Sequence, residues 1–208
     1  MTASYDFLDA SPVIPVIAIE AIEHAVPLAQ SLVAGGIVNL EVTLRTQYGL
    51  DAIRLISEQV PGANVGVGTV CSGVEFDAAV DAGASFVVSP GQSDELFERA
   101  LLTDVPFLPG AVTATEVMAA KSAGFTILKF FPAGTSGGAT AIKAFSGPFA
   151  DIQFVPTGGI KPENAHEYLS LSNVRAVGGT WLTPTDLIKN GRWDEIEAIA
   201  RQASSLNV

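Results

Sequence analysis

IEHAVPLAQSLVAGGIVNLEV (Ile22–Val42) passes from helical to strand periodicity within one segment, the unit from which a parallel α/β fold is built. Its first half places apolar residues at Ile22, Ala25, Val26, Ala29, Leu32 and Val33, the spacing of one helix face. Ala34-Gly35-Gly36 then closes the helix, because glycine past a helix end accepts the left-handed conformation without a Cβ clash. The run Val38–Val42 comes at once as a strand. The same handover recurs at Ala82-Gly83-Ala84 before Ser85 and at Ala123-Gly124 before Phe125.

Working outward, Val/Ile-rich runs are expected as strands at Val13–Ile19, Val38–Val42, Asn64–Gly68, Ser85–Val88, Pro106–Leu108, Thr126–Phe130, Ile152–Val155 and Val174–Val177. Helical periodicity fills the gaps at Ile22–Val33, Gly49–Gln59, Val74–Asp81, Glu95–Leu102, Thr115–Ser122, Ala139–Phe145 and Glu163–Leu169. The strands are continuous apolar runs more than strict alternations, which suits a parallel sheet covered by helices. Eight strands with intervening helices predict an α/β fold, a single (β/α)8 TIM barrel. The competitor is an open doubly wound sheet. Against it, the first βα junction lacks G-x-G-x-x-G, and the glycines cluster after the seventh and eighth strands.

The chain is expected to be one domain over 1–208, with a short helix or a loose lead-in at 1–11 and a final amphipathic helix at 185–206 interrupted near Asn190-Gly191. With 48% apolar residues, 208 residues can bury a substantial core. A net charge of −11 disfavours nucleic acid and anionic membranes as partners, so an anionic substrate must be held by local donors. The single cysteine, Cys71, excludes an internal disulfide and is expected to be a small buried thiol in a reducing compartment. No Lys or Arg precedes Arg45 and no run is long enough to span a bilayer, so the expected location is cytoplasmic.

In such a barrel the chemistry sits at the carboxyl ends of the strands. The second strand delivers Glu41, Thr43 and Arg45 there, the third Gly68 and Thr69, and the fourth Ser89, Pro90 and Gly91. The sixth delivers Lys129, Phe131 and Pro132. Lys129 lies inside the apolar run Thr126–Pro132, where burial disfavours an ammonium and would make the amine a nucleophile. The other reading is a lysine that snorkels its charge to solvent. Glu41 can move protons and Arg45 can fork a carboxylate, or the two can form an ordinary ion pair with each other. Thr69 offers a hydroxyl beside bare backbone. Thr157-Gly158-Gly159 and Gly178-Gly179-Thr180 match the phosphate-binding loops after strands seven and eight, and tight turns without a ligand are the alternative. His24 and His166 fall in helical segments far apart, no zinc-like spacing exists, and neither a metal nor an organic cofactor is expected.

The segments Leu40-Glu-Val-Thr-Leu-Arg-Thr46, Val65-Gly-Val-Gly-Thr69, Val88-Ser-Pro-Gly91, Leu108-Pro-Gly110, Lys129-Phe-Phe-Pro-Ala133, Pro156-Thr-Gly-Gly-Ile160 and Val177-Gly-Gly-Thr-Trp181 occur in that order. Together they resemble the 2-keto-3-deoxy-6-phosphogluconate (KDPG) aldolase family, metal-independent lyases of the Entner–Doudoroff pathway. The likeness runs from about Pro12 to the tail. It implies a (β/α)8 barrel, usually a homotrimer, in which Lys129 forms a Schiff base and Glu41 is the acid/base, working partly through a bound water. By the same resemblance Arg45 and Thr69 hold the pyruvate carboxylate, and Pro90 and Phe131 shape that pocket. Thr157, Gly158, Gly159, Gly178, Gly179 and Thr180 form the phosphate end.

The implied reaction is cleavage of 2-dehydro-3-deoxy-6-phospho-D-gluconate to pyruvate and glyceraldehyde 3-phosphate. A sister activity on 4-hydroxy-2-oxoglutarate or the galactonate epimer is one alternative, and a non-catalytic phosphate-binding barrel is the other. Three positions depart from the family pattern: Thr180 where serine is common, Gly134 where glutamate is, and Val155 where cysteine is. None touches the Lys, Glu or Arg.

Overall fold

Each of the eight apolar runs contributes to a strand, the eighth through Val177 alone, in a structure that is a computed structural model and describes residues 4–206. The strands are β1 (Val13–Ile17), β2 (Asn39–Thr43), β3 (Asn64–Gly68), β4 (Val87–Val88), β5 (Phe107–Leu108), β6 (Ile127–Phe130), β7 (Gln153–Pro156) and β8 (Val177–Gly179). Helices alternate with them: α1 (Ala25–Ala34), α2 (Gly49–Gln59), α3 (Gly73–Asp81), α4 (Asp94–Leu101), α5 (Ala114–Ser122), α6 (Gly138–Phe145) and α7 (Pro162–Leu169). The expected tail helix is divided into α8 (Thr185–Lys189) and α9 (Trp193–Ser204), with Gly191 at φ +63° between them. Residues 1–3 of the lead-in and the last two residues of the chain lie outside the described part. Within the lead-in, Asp6–Ala10 forms a 3₁₀ helix.

Pairing is parallel throughout. Six strands form one curled sheet in the order β5-β4-β3-β2-β1-β8, and β6 pairs with β7. Single parallel bridges join the two groups at Gly110↔Lys129, Phe154↔Val174 and Thr157↔Gly178.

Because the strand side chains alternate, the sheet has two buried faces. Val13, Leu40, Val42, Val65, Val67, Val87, Phe107 and Leu128 face the helices and join the larger core. Ile14, Phe86, Val88, Leu108, Ile127, Val155 and Ala176 point to the concave side and form a second core with Leu8 of the 3₁₀ helix. This double burial is why the strands read as continuous apolar runs.

Local signals set the helix boundaries. Ser72 and Ser93 cap α3 and α4 by accepting from the N–H groups of Glu75 and Leu96. Thr113 and Glu116 form a reciprocal capping box on α5. Beyond α1, Gly35 lies directly against Ala200, where an added Cβ would meet the Ala200 methyl at 2.4 Å. That contact fixes α9 on α1. Among the described residues no helix is long and apolar enough to cross a membrane.

Candidate active site

The inward parity of β2 carries Asn39, Glu41 and Thr43, and that of β6 carries Ile127 and Lys129. The pleat therefore aims Glu41 and Lys129 at each other across the concave face, although 88 residues separate them. Lys129 Nζ donates to Glu41 Oε1 at 3.0 Å, and each residue is only 3% exposed. An isolated buried charge is expensive, and the pair satisfies both partners. Burial of this kind is weak evidence for stability, since desolvating two ions offsets much of their attraction. The arrangement is better explained by chemistry, in which an amine and a carboxylate in contact can exchange a proton.

Lys129 opens onto a cavity of about 530 Å³ at the carboxyl ends of the strands. Eleven of the twelve residues singled out from the sequence line it: Arg45, Thr69, Pro90, Lys129, Phe131, Thr157, Gly158, Gly159, Gly178, Gly179 and Thr180. The twelfth, Glu41, lies behind Lys129. Val16 of β1 completes the wall and carries no polar signal that sequence reasoning could use.

Two clusters line the cavity with Lys129, one after β2 and β3 and one after β7 and on β8. In the first, Arg45 Nε donates to Thr69 Oγ1 at 3.2 Å, so the alternative Glu41–Arg45 ion pair does not form. Arg45 is exposed and lines the cavity, and Thr69 adopts φ +65°. A β-branched residue in that region is uncommon and is held there by its surroundings. In the second, Gly158 (φ +98°) and Gly159 (φ +77°) bring bare backbone to the rim, a conformation that side chains disfavour. Thr157 is 5% exposed, and its Oγ1 lies where a Cβ on Gly178 would fall, 2.2 Å away. The Phe131 ring sits 5.4 Å from Lys129 Nζ and packs over Gly158.

Cys71 corrects the sequence reading. It is exposed, in the turn between Thr69 and α3, where its N–H donates to Glu75 Oε2 at 2.6 Å. Partial desolvation, and then the Glu75 charge, push its thiol above the usual range, which disfavours the thiolate. His166 is exposed on α7, and His24 is half-buried with its ring edge-on to Trp193. Among the described residues no group of three His, Cys, Asp or Glu side chains converges in a way that could hold a metal ion.

A curled parallel sheet, helices on its outer face and a cavity lined by Lys129, Arg45 and two glycine-rich turns at the carboxyl ends of its strands define an α/β enzyme. Residues 5–199 match the family model for KDPG and KHG aldolase. The chain is 48% identical over 97% of its length to 2-dehydro-3-deoxy-phosphogluconate aldolase of Pseudoalteromonas atlantica, covering 94% of that protein. It is 45% identical over 97% of its length to the KHG/KDPG aldolase of Escherichia coli K12, covering 95% of it. Among solved structures, it resembles KDPG aldolase from Legionella pneumophila with pyruvate captured at low pH as a covalent carbinolamine intermediate. That match has a TM-score of 0.93 at 44% identity and covers 95% of this chain and 96% of the other. The chain belongs to the KDPG and KHG aldolase family and is a carbon–carbon lyase.

Proposed function

We propose that this enzyme cleaves 2-dehydro-3-deoxy-6-phospho-D-gluconate to pyruvate and D-glyceraldehyde 3-phosphate through an imine on Lys129. The observation that carries the reading is the buried Lys129, which lines the cavity and whose amine lies 3.0 Å from the Glu41 carboxylate. With its proton passed to Glu41, the amine attacks the C2 ketone. Glu41 returns the proton as the carbinolamine loses water. The resulting iminium draws in the electron pair of the C3–C4 bond as that bond breaks. Glu41 takes the C4 hydroxyl proton, so that C4 leaves as the aldehyde of glyceraldehyde 3-phosphate. The enamine then gains a proton at C3, and water hydrolyses the imine to pyruvate and free Lys129.

Arg45 and Thr69 hold the substrate carboxylate, and Pro90 and Phe131 bound the pyruvate half. Thr157, Gly158, Gly159, Gly178, Gly179 and Thr180 receive the phosphate through hydroxyls and exposed backbone. Thr180 keeps the donor that serine supplies in many relatives. Supporting a second substrate, 4-hydroxy-2-oxoglutarate, is the double name of both the family and the Escherichia coli relative. The distal carboxylate of that substrate would meet the same donors.

The three parallel bridges at the seams favour closure of all eight strands into one barrel, which we take as a single domain over 1–208, with 185–206 packed on its outside. A homotrimer in the cytoplasm is the proposed working form, and a monomer by sedimentation would reject it. The test of the chemistry is borohydride reduction in the presence of pyruvate, with peptide mass analysis of the product. An adduct on Lys129 is expected, and its absence would leave a non-catalytic phosphate-binding barrel. Comparing kcat/KM for the gluconate substrate, its galactonate epimer and 4-hydroxy-2-oxoglutarate ranks the three activities.

A further inference from the structure

Two glycines occupy the inward positions at the carboxyl end of β3, and they make room for different things. A Cβ on Gly66 would run into the Phe86 ring at 2.4 Å, so Gly66 seats an apolar side chain of the concave core. A Cβ on Gly68 would meet Glu41 and nothing nearer: Oε1 at 2.2 Å, Cγ at 2.7 Å and Cδ at 2.8 Å. Gly68 pairs with Thr43 in the β2–β3 ladder, so Glu41, two residues earlier on the same face of β2, lies across the bare backbone of the neighbouring strand.

We propose that Gly68 is a positioning residue for the aldol reaction: its missing side chain lets the Glu41 carboxylate lie flat against β3, within reach of Lys129. This rests on the proposed acid/base role of Glu41. A clash with the end of a flexible side chain is cheap at a surface, where the chain swings into solvent. Glu41 is 3% exposed and has no such exit. Its carboxylate can retreat from a methyl on Gly68 only by rotating away from the 3.0 Å contact with Lys129. The backbone offers no separate objection to alanine, since Gly68 is a β-strand residue outside the positive-φ set. The effect of the substitution therefore falls on one carboxylate.

Gly68→Ala should lower kcat on the order of a hundredfold, the usual result of misplacing a reacting group by about 1 Å, and should change KM for the phosphorylated substrate by less than about threefold. The limb of the pH–rate profile that reports the acid/base should shift as well. Gly147→Ala is the control, because a Cβ there meets only the Ala144 carbonyl, at 3.8 Å, on an exposed turn; it should match the parent. In a Glu41→Gln background, Gly68→Ala should change kcat by less than about twofold, since a residue acting through Glu41 has nothing left to position.

Parental turnover in Glu41→Gln rejects the acid/base role and this inference with it. A crippled Glu41→Gln beside a Gly68→Ala enzyme with parental kcat and pH profile rejects the inference alone. So does an equal loss from Gly68→Ala in both backgrounds. If Gly68→Ala does not fold, the double variant Glu41→Ala/Gly68→Ala, read beside Glu41→Ala alone, decides, because losing Cγ and the carboxylate clears the three atoms nearest the added methyl. Recovery of folded protein supports the contact, and failure of the double variant beside a folded Glu41→Ala overturns it.

Discussion

The two ends of the concave face are built from the same eight strands and filled in opposite ways. At the amino end, the 3₁₀ helix Asp6–Ala10 closes the sheet. Leu8 enters the concave core, Phe7 stacks on Phe86 at 4.8 Å, and Asn39 Nδ2 donates to the Phe7 carbonyl at 2.7 Å. Polar atoms there find partners inside the protein, as where Asn64 Nδ2 donates to Asn39 Oδ1 at 2.8 Å. At the carboxyl end the inward positions are Glu41, Gly68, Lys129, Thr157 and Gly178, and a cavity of about 530 Å³ stands above them. A parallel sheet can thus assign stability and chemistry to separate ends. Each end can then be altered with a distinct expected result.

The largest effect is at the carboxyl end. Lys129→Ala should lower turnover on the order of ten-thousandfold or more, because among the described residues no other amine lines the cavity to take over the imine. The same change strands Glu41 in a buried site and should reduce stability by about 3 kcal/mol, while the fold persists. Replacing both partners by apolar residues of similar size, Lys129→Met with Glu41→Leu, should abolish activity yet return stability to the parental level or above. Urea unfolding measures this directly. A double variant as unstable as the single would show that the ion pair holds the sheet together.

At the amino end the signs reverse. Leu8 is 1% exposed among Ile14, Val88, Leu108 and Val155, so Leu8→Ala should cost about 2–4 kcal/mol of stability through lost transfer energy and a residual void. Its kcat should stay within about twofold of the parent below the lowered melting temperature, since nothing at that end touches the cavity. A matching loss of kcat in the folded state would mean that the two ends are mechanically coupled.

The asymmetry also explains what the sequence can and cannot reveal. Helix α2 falls on the expected Gly49–Gln59 and β3 on Asn64–Gly68, because periodicity and glycine punctuation are local signals. Strands β4 and β5 contract to two residues each, since an apolar run marks burial and not the length of the hydrogen-bonded ladder. The cavity residues are legible as a set because chemistry-bearing types recur at strand ends. Their partners are not: Glu41 meets Lys129 from 88 residues away, and Arg45 meets Thr69 instead of Glu41. The inward parity of β2, with Asn39, Glu41 and Thr43 all polar on one face, is a signal that places Glu41 inside once it is counted. Cys71 defies its expected burial because the general tendency of cysteine says little about a residue in a turn just ahead of a helix cap. The lead-in reads only as a short helix or a loose segment, and the contact that fixes it, with Phe107, spans 102 residues.

That contact supplies the smallest effect and the finest probe of the amino end. The Tyr5 hydroxyl donates to the Phe107 carbonyl at 2.8 Å, and burial pushes its pKa from 10.0 up to about 12. Between those values the unfolded chain has released the phenolic proton and the folded chain has kept it. The stabilisation tied to Tyr5 is therefore complete below pH 10 and is lost as pH rises toward 12, at about 1.4 kcal/mol per pH unit. Tyr5→Phe removes the hydrogen bond and should cost about 1 kcal/mol at neutral pH. It should also flatten this part of the alkaline stability curve, so that parent and variant converge and then cross as pH climbs. Denaturant unfolding at pH 8 and pH 11 measures both quantities. A Tyr5→Phe protein whose stability falls between those two points as steeply as the parent's would show that the phenol does not titrate with folding, and that the lead-in does not seal this end through its hydroxyl.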